Sequence, residues 1–270
     1  MRDLTNIEEV REAIDDDTCC VFLEILTNPQ LEVADLKAIS EVAHEKKVPL
    51  VVDSTVIPFT QFSAKNLGVD IEVVSSSKYV SGGATSLGGL VIDYGTPYNG
   101  DFAKRLYGEM LFNFGAYMTP QVAYMQTIGL ETLDARYRVQ SSNALELAQK
   151  LRTLPQIQYV NYVGLEDNPY HELAQRQFGK TAGAMICIDL ESKEACFSFL
   201  NNLKLIHRAT NLFDNRSLAI HPASTIFGAF SENMRKSMDV KDTTIRLSVG
   251  LEDVDDLFED IKQAVEGIQK

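Results

Sequence analysis

Long apolar runs are missing from this chain of 270 residues. No stretch approaches the roughly 20 apolar residues that a membrane-spanning helix needs. The opening segment, MRDLTNIEEVREAIDDD, is acidic and polar, so it reads as neither a signal peptide nor a basic transit peptide. A cytoplasmic location is the expectation. Basic residues are scarce: 25 Lys and Arg stand against 38 Asp and Glu, a net charge of −13. That balance argues against nucleic acid or an anionic membrane as a partner. Cysteines number four, Cys19, Cys20, Cys187 and Cys196, with no CxxC pair, and the four histidines do not cluster in sequence. Neither a zinc site nor a disulfide framework is expected, and no metal. No GxGxxG or GK[ST] occurs, which argues against a nicotinamide dehydrogenase or a P-loop enzyme. Low-complexity tracts and internal repeats are also lacking.

What remains is an ordinary globular composition, 45% hydrophobic and 23% charged, long enough for one or two domains. CCVFLEIL (19–26) reads as a buried strand, with at least one of its cysteines an internal small hydrophobe. It ends at the turn signal TNP. VADLKAISEVAHEKK has helical spacing at Leu36, Ile39 and Val42/Ala43. VPLVVDS, DIEVVS and SLGGLVID (86–93) follow as strands, so a parallel sheet with covered faces is expected. Residues 99–153 read as helical. After Pro155 the pattern changes to strand-like IQYVNYV, GAMICIDL, LKLIHRA and TTIRLSVGL, with helical EACFSFLNNL between them and DVDDLFEDIKQAVEGI at the end. The boundary is placed near 150: an α/β part over 1–150 and a smaller α+β domain over 151–270. The first part has few strands for a doubly wound sheet, and the sheet reads as beginning before residue 1.

Polar residues stand where the predicted strands stop. Asn28 follows the first strand, Asp53 ends the second, and Ser75, Ser77 and Lys78 end the third, in SSSKYVSGGATSLGGL (75–90). Ligands of open α/β sheets bind outside the carboxyl ends of strands. A lysine there can form a Schiff base with an aldehyde, and pyridoxal phosphate is the common aldehyde cofactor. Its ring nitrogen needs a carboxylate, which Asp53 offers, and its phosphate needs donors, which Ser75 and Ser77 offer. Taken singly, each residue reads as a surface lysine, a turn cap or a loop serine. Arg246, in TTIRLSVG, sits in a half-buried strand pattern where a lone guanidinium needs a partner.

TNPQLEVADLKAISEVAHEKKVPLVVDSTVIPFTQ, LGVDIEVVSSSKYVSGG, SLAIHPAST and IRLSVGLEDVDDL together resemble the Cys/Met-metabolism (trans-sulfuration) family of pyridoxal-phosphate enzymes, its sulfhydrylase branch most of all. The resemblance covers essentially the whole chain. It implies an α/β fold of the PLP-transferase type I (aspartate-aminotransferase-like) kind, with part of the large PLP-binding domain in 1–150 and an α+β C-terminal domain in 151–270. It implies Lys78 as the Schiff-base lysine, Asp53 at the pyridine nitrogen, Ser75 and Ser77 on the phosphate, Asn28 near the 3′-oxygen and Arg246 on the substrate carboxylate. The implied reaction is γ-replacement on O-acetylhomoserine or a related ester by sulfide or a thiol. Cystathionine synthesis and γ-lyase cleavage use the same scaffold. It also implies a homo-oligomer. The family's N-terminal ring-stacking tyrosine, Gly-Met phosphate turn and Tyr/Arg pair have no counterpart in residues 1–270. A non-catalytic chain that pairs with a separate N-terminal polypeptide is therefore the rival expectation. Leu26 stands for the family's proline before TNP, Phe213 for a usual glycine in NLFDNRS, and Ile226 for a frequent threonine.

Overall fold

The structure is a computed structural model that describes residues 4–268. Helix α1 (Ile7–Ala13) is capped by the Asn6 side chain and buries Val10. Strand β1 (Val21–Glu24) follows, then helix α2 (Leu36–Glu45), strand β2 (Leu50–Asp53), strand β3 (Ile71–Val74) and strand β4 (Leu90–Asp93). The Asp35 carboxylate accepts from Ala38 N at the start of α2 and replaces one missing intrahelical partner. Leu36, Ile39, Val42 and Ala43 then form a buried stripe at helical spacing.

The sheet order is β1-β2-β3-β4. The first three strands are parallel, with Leu23 opposite Val52 and Asp53 opposite Val73. β4 departs from the expected parallel sheet and pairs antiparallel with β3. A parallel return requires a crossover, usually helical, and residues 75–89 form turns and irregular chain. The chain therefore doubles back. β1 departs as well. It is shorter than expected, alternates buried and exposed, and leaves Phe22 57% exposed. Among the described residues it is an edge strand with one neighbour, and only one of its faces is covered. Cys19 and Cys20 precede it, exposed and half-buried respectively, and neither is a core residue.

The expected helical region is broken into pieces. α3 (Phe102–Arg105) runs through a π-helical turn (Leu106–Leu111) into α4 (Phe112–Phe114), and α5 (Pro120–Glu131) follows. α5 buries only Gln126 and Gly129. At Gly129 the helix meets the turn after β3 so closely that a Cβ would lie 2.2 Å from Val80 O and 2.8 Å from Ser81 O. This unit comprises the residues up to Leu26 together with Glu32–Glu131.

The second unit comprises Thr27–Leu31 and the chain from Thr132 onward. The expected boundary near 150 falls at the end of α6 (Leu133–Leu151), all of which belongs to this unit. The remaining elements are β5 (Tyr159–Asn161), α7 (His171–Phe178), β6 (Met185–Asp189), α8 (Lys193–Asn202), β7 (His207–Arg208), β8 (Leu218–Ile220), α9 (Glu232–Ser237), β9 (Thr244–Ser248) and α10 (Val254–Glu266). Their sheet runs β5-β6-β9-β8-β7, with β9 at its centre, and α6, α8 and α10 pack together over it. β8, inside SLAIHPAST, lies outside the predicted strands. Thr27–Leu31 is tied in by its backbone: Pro29 O accepts from Cys187 Sγ at 3.0 Å and Gln30 O from Asn161 Nδ2 at 2.7 Å. Among the described residues no helix is long and apolar enough to cross a membrane.

α10 buries Leu257, Ile261, Ala264 and Val265 as its spacing predicts, and Asp260 with them. The Asp260 carboxylate accepts from Lys204 N, Leu205 N and Ile206 N, each at 2.9 Å. Asp260→Ala leaves those donors without an acceptor. It is expected to cost roughly 2–4 kcal/mol, read as a lowered urea midpoint; an unchanged midpoint would contradict this. Gly129→Ala drives a methyl group into backbone. It is expected to cost about 1–3 kcal/mol and to speed amide exchange across residues 78–82, measured by hydrogen–deuterium exchange.

Candidate functional site

Parallel pairing sends the ends of β2 and β3 to one rim. Asp53 is the last residue of β2, half-buried, and its Oδ1 accepts from Thr55 N at 2.9 Å. The other carboxylate oxygen has no hydrogen bond among the described residues. Thr55 also reaches across to the next strand end, where its Oγ1 accepts from Ser75 N at 2.8 Å. Asp53 and Ser75 are thus linked through one threonine. Ser54 turns elsewhere: its hydroxyl donates to the buried Glu72 carboxylate, which also accepts from Tyr94 Oη at 2.5 Å. Burial first, then the hydrogen bond to Glu72 and its charge, push the Tyr94 phenol above its ordinary range. It therefore stays a donor and fastens β3 from behind.

Ser75, Ser77 and Lys78 follow β3 on a tight turn in which Lys78 N donates to Ser75 O at 3.2 Å. Lys78 is half-buried. The Ser77 hydroxyl accepts from Gly88 N at 2.9 Å and donates to Gly88 O at 3.2 Å, so it clips the loop that leads to β4. Ser81 Oγ closes the turn on Ser77 O at 3.0 Å. The Ser75 hydroxyl has no hydrogen bond among the described residues.

Sequence reasoning passed over a second layer behind this turn. Ser76 Oγ, Ser86 Oγ and Gln126 Nε2 are buried with no hydrogen-bond partner among the described residues. At Gly88 a Cβ would lie 2.4 Å from Gln126 Nε2 and 2.7 Å from Ser76 Oγ. Only the middle position of a triple serine and the two GG pairs hinted at such close packing. The rim therefore offers a lysine on a rigid turn, a carboxylate with one oxygen unengaged, and hydroxyls from Ser75 and Ser77. That donor set fits pyridoxal phosphate, whose aldehyde, ring nitrogen and phosphate call for an amine, a carboxylate and hydrogen-bond donors.

The structure brings Asn28 to Arg246, and both belong to the second unit. Arg246 lies in the middle of β9, between Cys187 and Ile220, and is 2% exposed. Its Nη1 donates to Asn28 Oδ1 at 3.0 Å, and its Nη2 to Thr210 O at 3.1 Å and Asn211 O at 3.0 Å. Nε is buried without a partner. The acceptors are amide and carbonyl oxygens, so the described residues offer dipoles and no counter-charge. Burial pulls the guanidinium down to about 10, and the neighbouring Cys187 works weakly the other way. At neutral pH Arg246 remains a cation held in low dielectric, chemistry that suits an anion. Thr210 and Asn211 carried no signal in the sequence, because they act through their backbone carbonyls.

The comparisons agree on one family. The model of the Cys/Met metabolism PLP-dependent enzymes matches residues 1–266. An L-methionine gamma-lyase of Fusobacterium nucleatum is 38% identical over 270 residues, a match that takes in 98% of this chain and 67% of that protein. A cystathionine gamma-lyase of Bacillus subtilis is 36% identical, over 98% of this chain and 69% of its own. The solved O-acetylhomoserine sulfhydrylase of Wolinella succinogenes is 42% identical, with a TM-score of 0.84 over 97% of this chain and 76% of that one. A Campylobacter jejuni structure described as an O-acetylhomoserine (thiol)-lyase, carrying a pyridoxyl-lysine phosphate, is 34% identical, with a TM-score of 0.94 over 98% of this chain and 70% of its own. The chain spans about two thirds of the length of the curated relatives it matches. With the lysine, carboxylate and serines on one rim and the family model matched over 1–266, the chain belongs to the Cys/Met-metabolism family of pyridoxal-phosphate-dependent enzymes.

Proposed function

We propose that the chain carries out γ-replacement on O-acetylhomoserine or a related ester, with sulfide or a thiol as the incoming nucleophile. The rim of unit 1, where Lys78, Asp53, Ser75 and Ser77 follow two adjacent parallel strands, supports the cofactor chemistry, and the 42% identity to a solved O-acetylhomoserine sulfhydrylase supports γ-replacement. When bound, the cofactor supplies an electron sink for charge that develops on the substrate carbons. Asp53 would hold the ring-nitrogen proton with its unengaged oxygen. Ser75 and Ser77 would donate to the phosphate, Ser77 while still clipped to Gly88. The Lys78 amine would hold the aldehyde carbon and, once displaced from it, move protons at the α- and β-carbons of the substrate. Asn28 is proposed beside the cofactor's 3′-oxygen on the resemblance alone. Arg246 is proposed for the substrate carboxylate, because a buried guanidinium with an unpaired Nε suits a two-oxygen anion.

A second reading, γ-lyase cleavage of methionine or cystathionine, has equal support from relatives named as lyases at 38% and 36% identity. Lys78, Asp53 and Arg246 serve either reaction. Product analysis separates them: homocysteine from O-acetylhomoserine and sulfide supports the first, whereas 2-oxobutyrate from methionine supports the second.

The cofactor assignment has its own test. The purified chain is incubated with pyridoxal phosphate and reduced with borohydride, and its peptides are mapped. Phosphopyridoxyl is expected on Lys78 and is expected to vanish in Lys78→Ala. Equal labelling of other lysines in both proteins would sink the assignment. The Arg246 assignment predicts a conflict between stability and binding. Arg246→Met removes a buried uncompensated charge. It is expected to melt no lower than the parent chain and to lose all thermal response to added carboxylate. A variant that still responds to carboxylate would refute the role.

A further inference from the structure

Phe213 has a backbone φ of 57°, in the left-handed region, and its side chain is fully buried. A bulky residue rarely adopts that conformation, and it persists only where the surroundings over-determine it. The surroundings do so here. Phe213 N donates to Ser248 Oγ at 2.6 Å. Asp214 O accepts from Gln140 Nε2 of α6 at 2.7 Å, and the Asp214 carboxylate turns back to Arg216 N at 3.1 Å. Just before Phe213, Thr210 O and Asn211 O hold the Arg246 guanidinium. Ser248 lies two residues beyond Arg246 on β9, so both side chains leave the same face of the strand. One strand face thus grips the 210–214 loop twice, once through Arg246 and once through Ser248. The strained turn at Phe213 starts at the second grip, where Phe213 N meets Ser248.

We propose that Phe213 is a positioning residue for Arg246: its buried ring locks a strained turn, and the turn keeps the Thr210 and Asn211 carbonyls on the guanidinium. The inference rests on the reading of Arg246 as a carboxylate receptor. The carbonyls fix one nitrogen of the fork and leave Nε unpaired. A fork held in this way needs no reordering when an anion arrives. Glycine at 213 would adopt the same φ without strain. It would also free the loop to move and leave a cavity where the ring had been. The phenylalanine therefore exchanges local strain for a fixed guanidinium.

The test is a titration of the full chain with L-2-aminobutyrate, an amino acid without a leaving group. It is followed by NMR through the Arg246 Nε–H signal, which Arg246→Lys identifies by its loss. In the parent chain the signal is expected to shift with saturable binding. Phe213→Gly is expected to weaken that binding about tenfold, equivalent to ~1.4 kcal/mol. Phe213→Leu, which keeps a buried side chain, is expected to stay within about twofold of the parent. Phe199→Leu, a control at another fully buried site, is expected to lower the melting temperature and leave binding unchanged. If Phe213→Gly does not fold, Ser248→Ala loosens the same turn and is expected to weaken binding several-fold. Parent-like binding in Phe213→Gly, or in Ser248→Ala where that variant stands in, overturns the inference and leaves the Arg246 reading intact. A parent chain whose Nε–H signal ignores the probe overturns both.

Discussion

Every strand of a parallel sheet ends on the same rim, so the pairing of β2 with β3, Asp53 opposite Val73, decides which side chains can act together. The carboxylate finishes one strand and the Ser75–Lys78 turn begins where the next one finishes. Thr55 fixes the spacing between them through one hydrogen bond to Ser75 N. A slip of one residue in that register would turn Asp53 to the opposite face and bring Ser54 in its place. The Glu72 carboxylate, held by Ser54 and Tyr94 from behind, works against such a slip.

Buried charge is treated differently in the second unit. Asp260 is a carboxylate engaged by three backbone N–H groups and the Gln263 amide, and its burial serves the fold. Arg246 is a guanidinium surrounded by neutral oxygens, with its Nε–H unpaired among the described residues, and its burial does not serve the fold in the same way. Desolvation opposes its charge and nothing among the described residues neutralises it. In the proposed reading an anion arriving from outside would complete the site, and the feature that costs stability would make the residue a receptor. The proposed role of the Phe213 turn follows this logic: a strained conformation would be retained where it keeps the guanidinium still.

Much of the rim was legible because its chemistry lies in consecutive residues. VVDST and SSSKY each place their polar groups directly after an apolar run, and in a parallel sheet that suffices to locate them. The helices α2, α6 and α10 were legible for a related reason: apolar spacing of three and four fixes one face whatever that face packs against. Less of the periphery was readable. Phe22 and Cys19 looked like core because apolar residues at an edge strand carry the same letters as those at a centre. The reversal of β4 depended on whether residues 75–89 form a helix, and glycine-rich turns do not announce which way the next strand runs.

The sequence alone therefore determined the kinds of chemistry available, a lysine, a carboxylate, hydroxyls and a lone arginine, and the strand ends that carry most of them, because local pattern and strand termination are properties of neighbouring residues. Only the tertiary structure decided their partners. Asn28 meets Arg246 across 218 positions, the Thr210 and Asn211 carbonyls complete its shell, and Gly129 presses a helix onto the lysine turn. These contacts use backbone atoms or distant residues. A backbone carbonyl is identical at every position, so which ones reach a guanidinium is settled by the path of the folded chain.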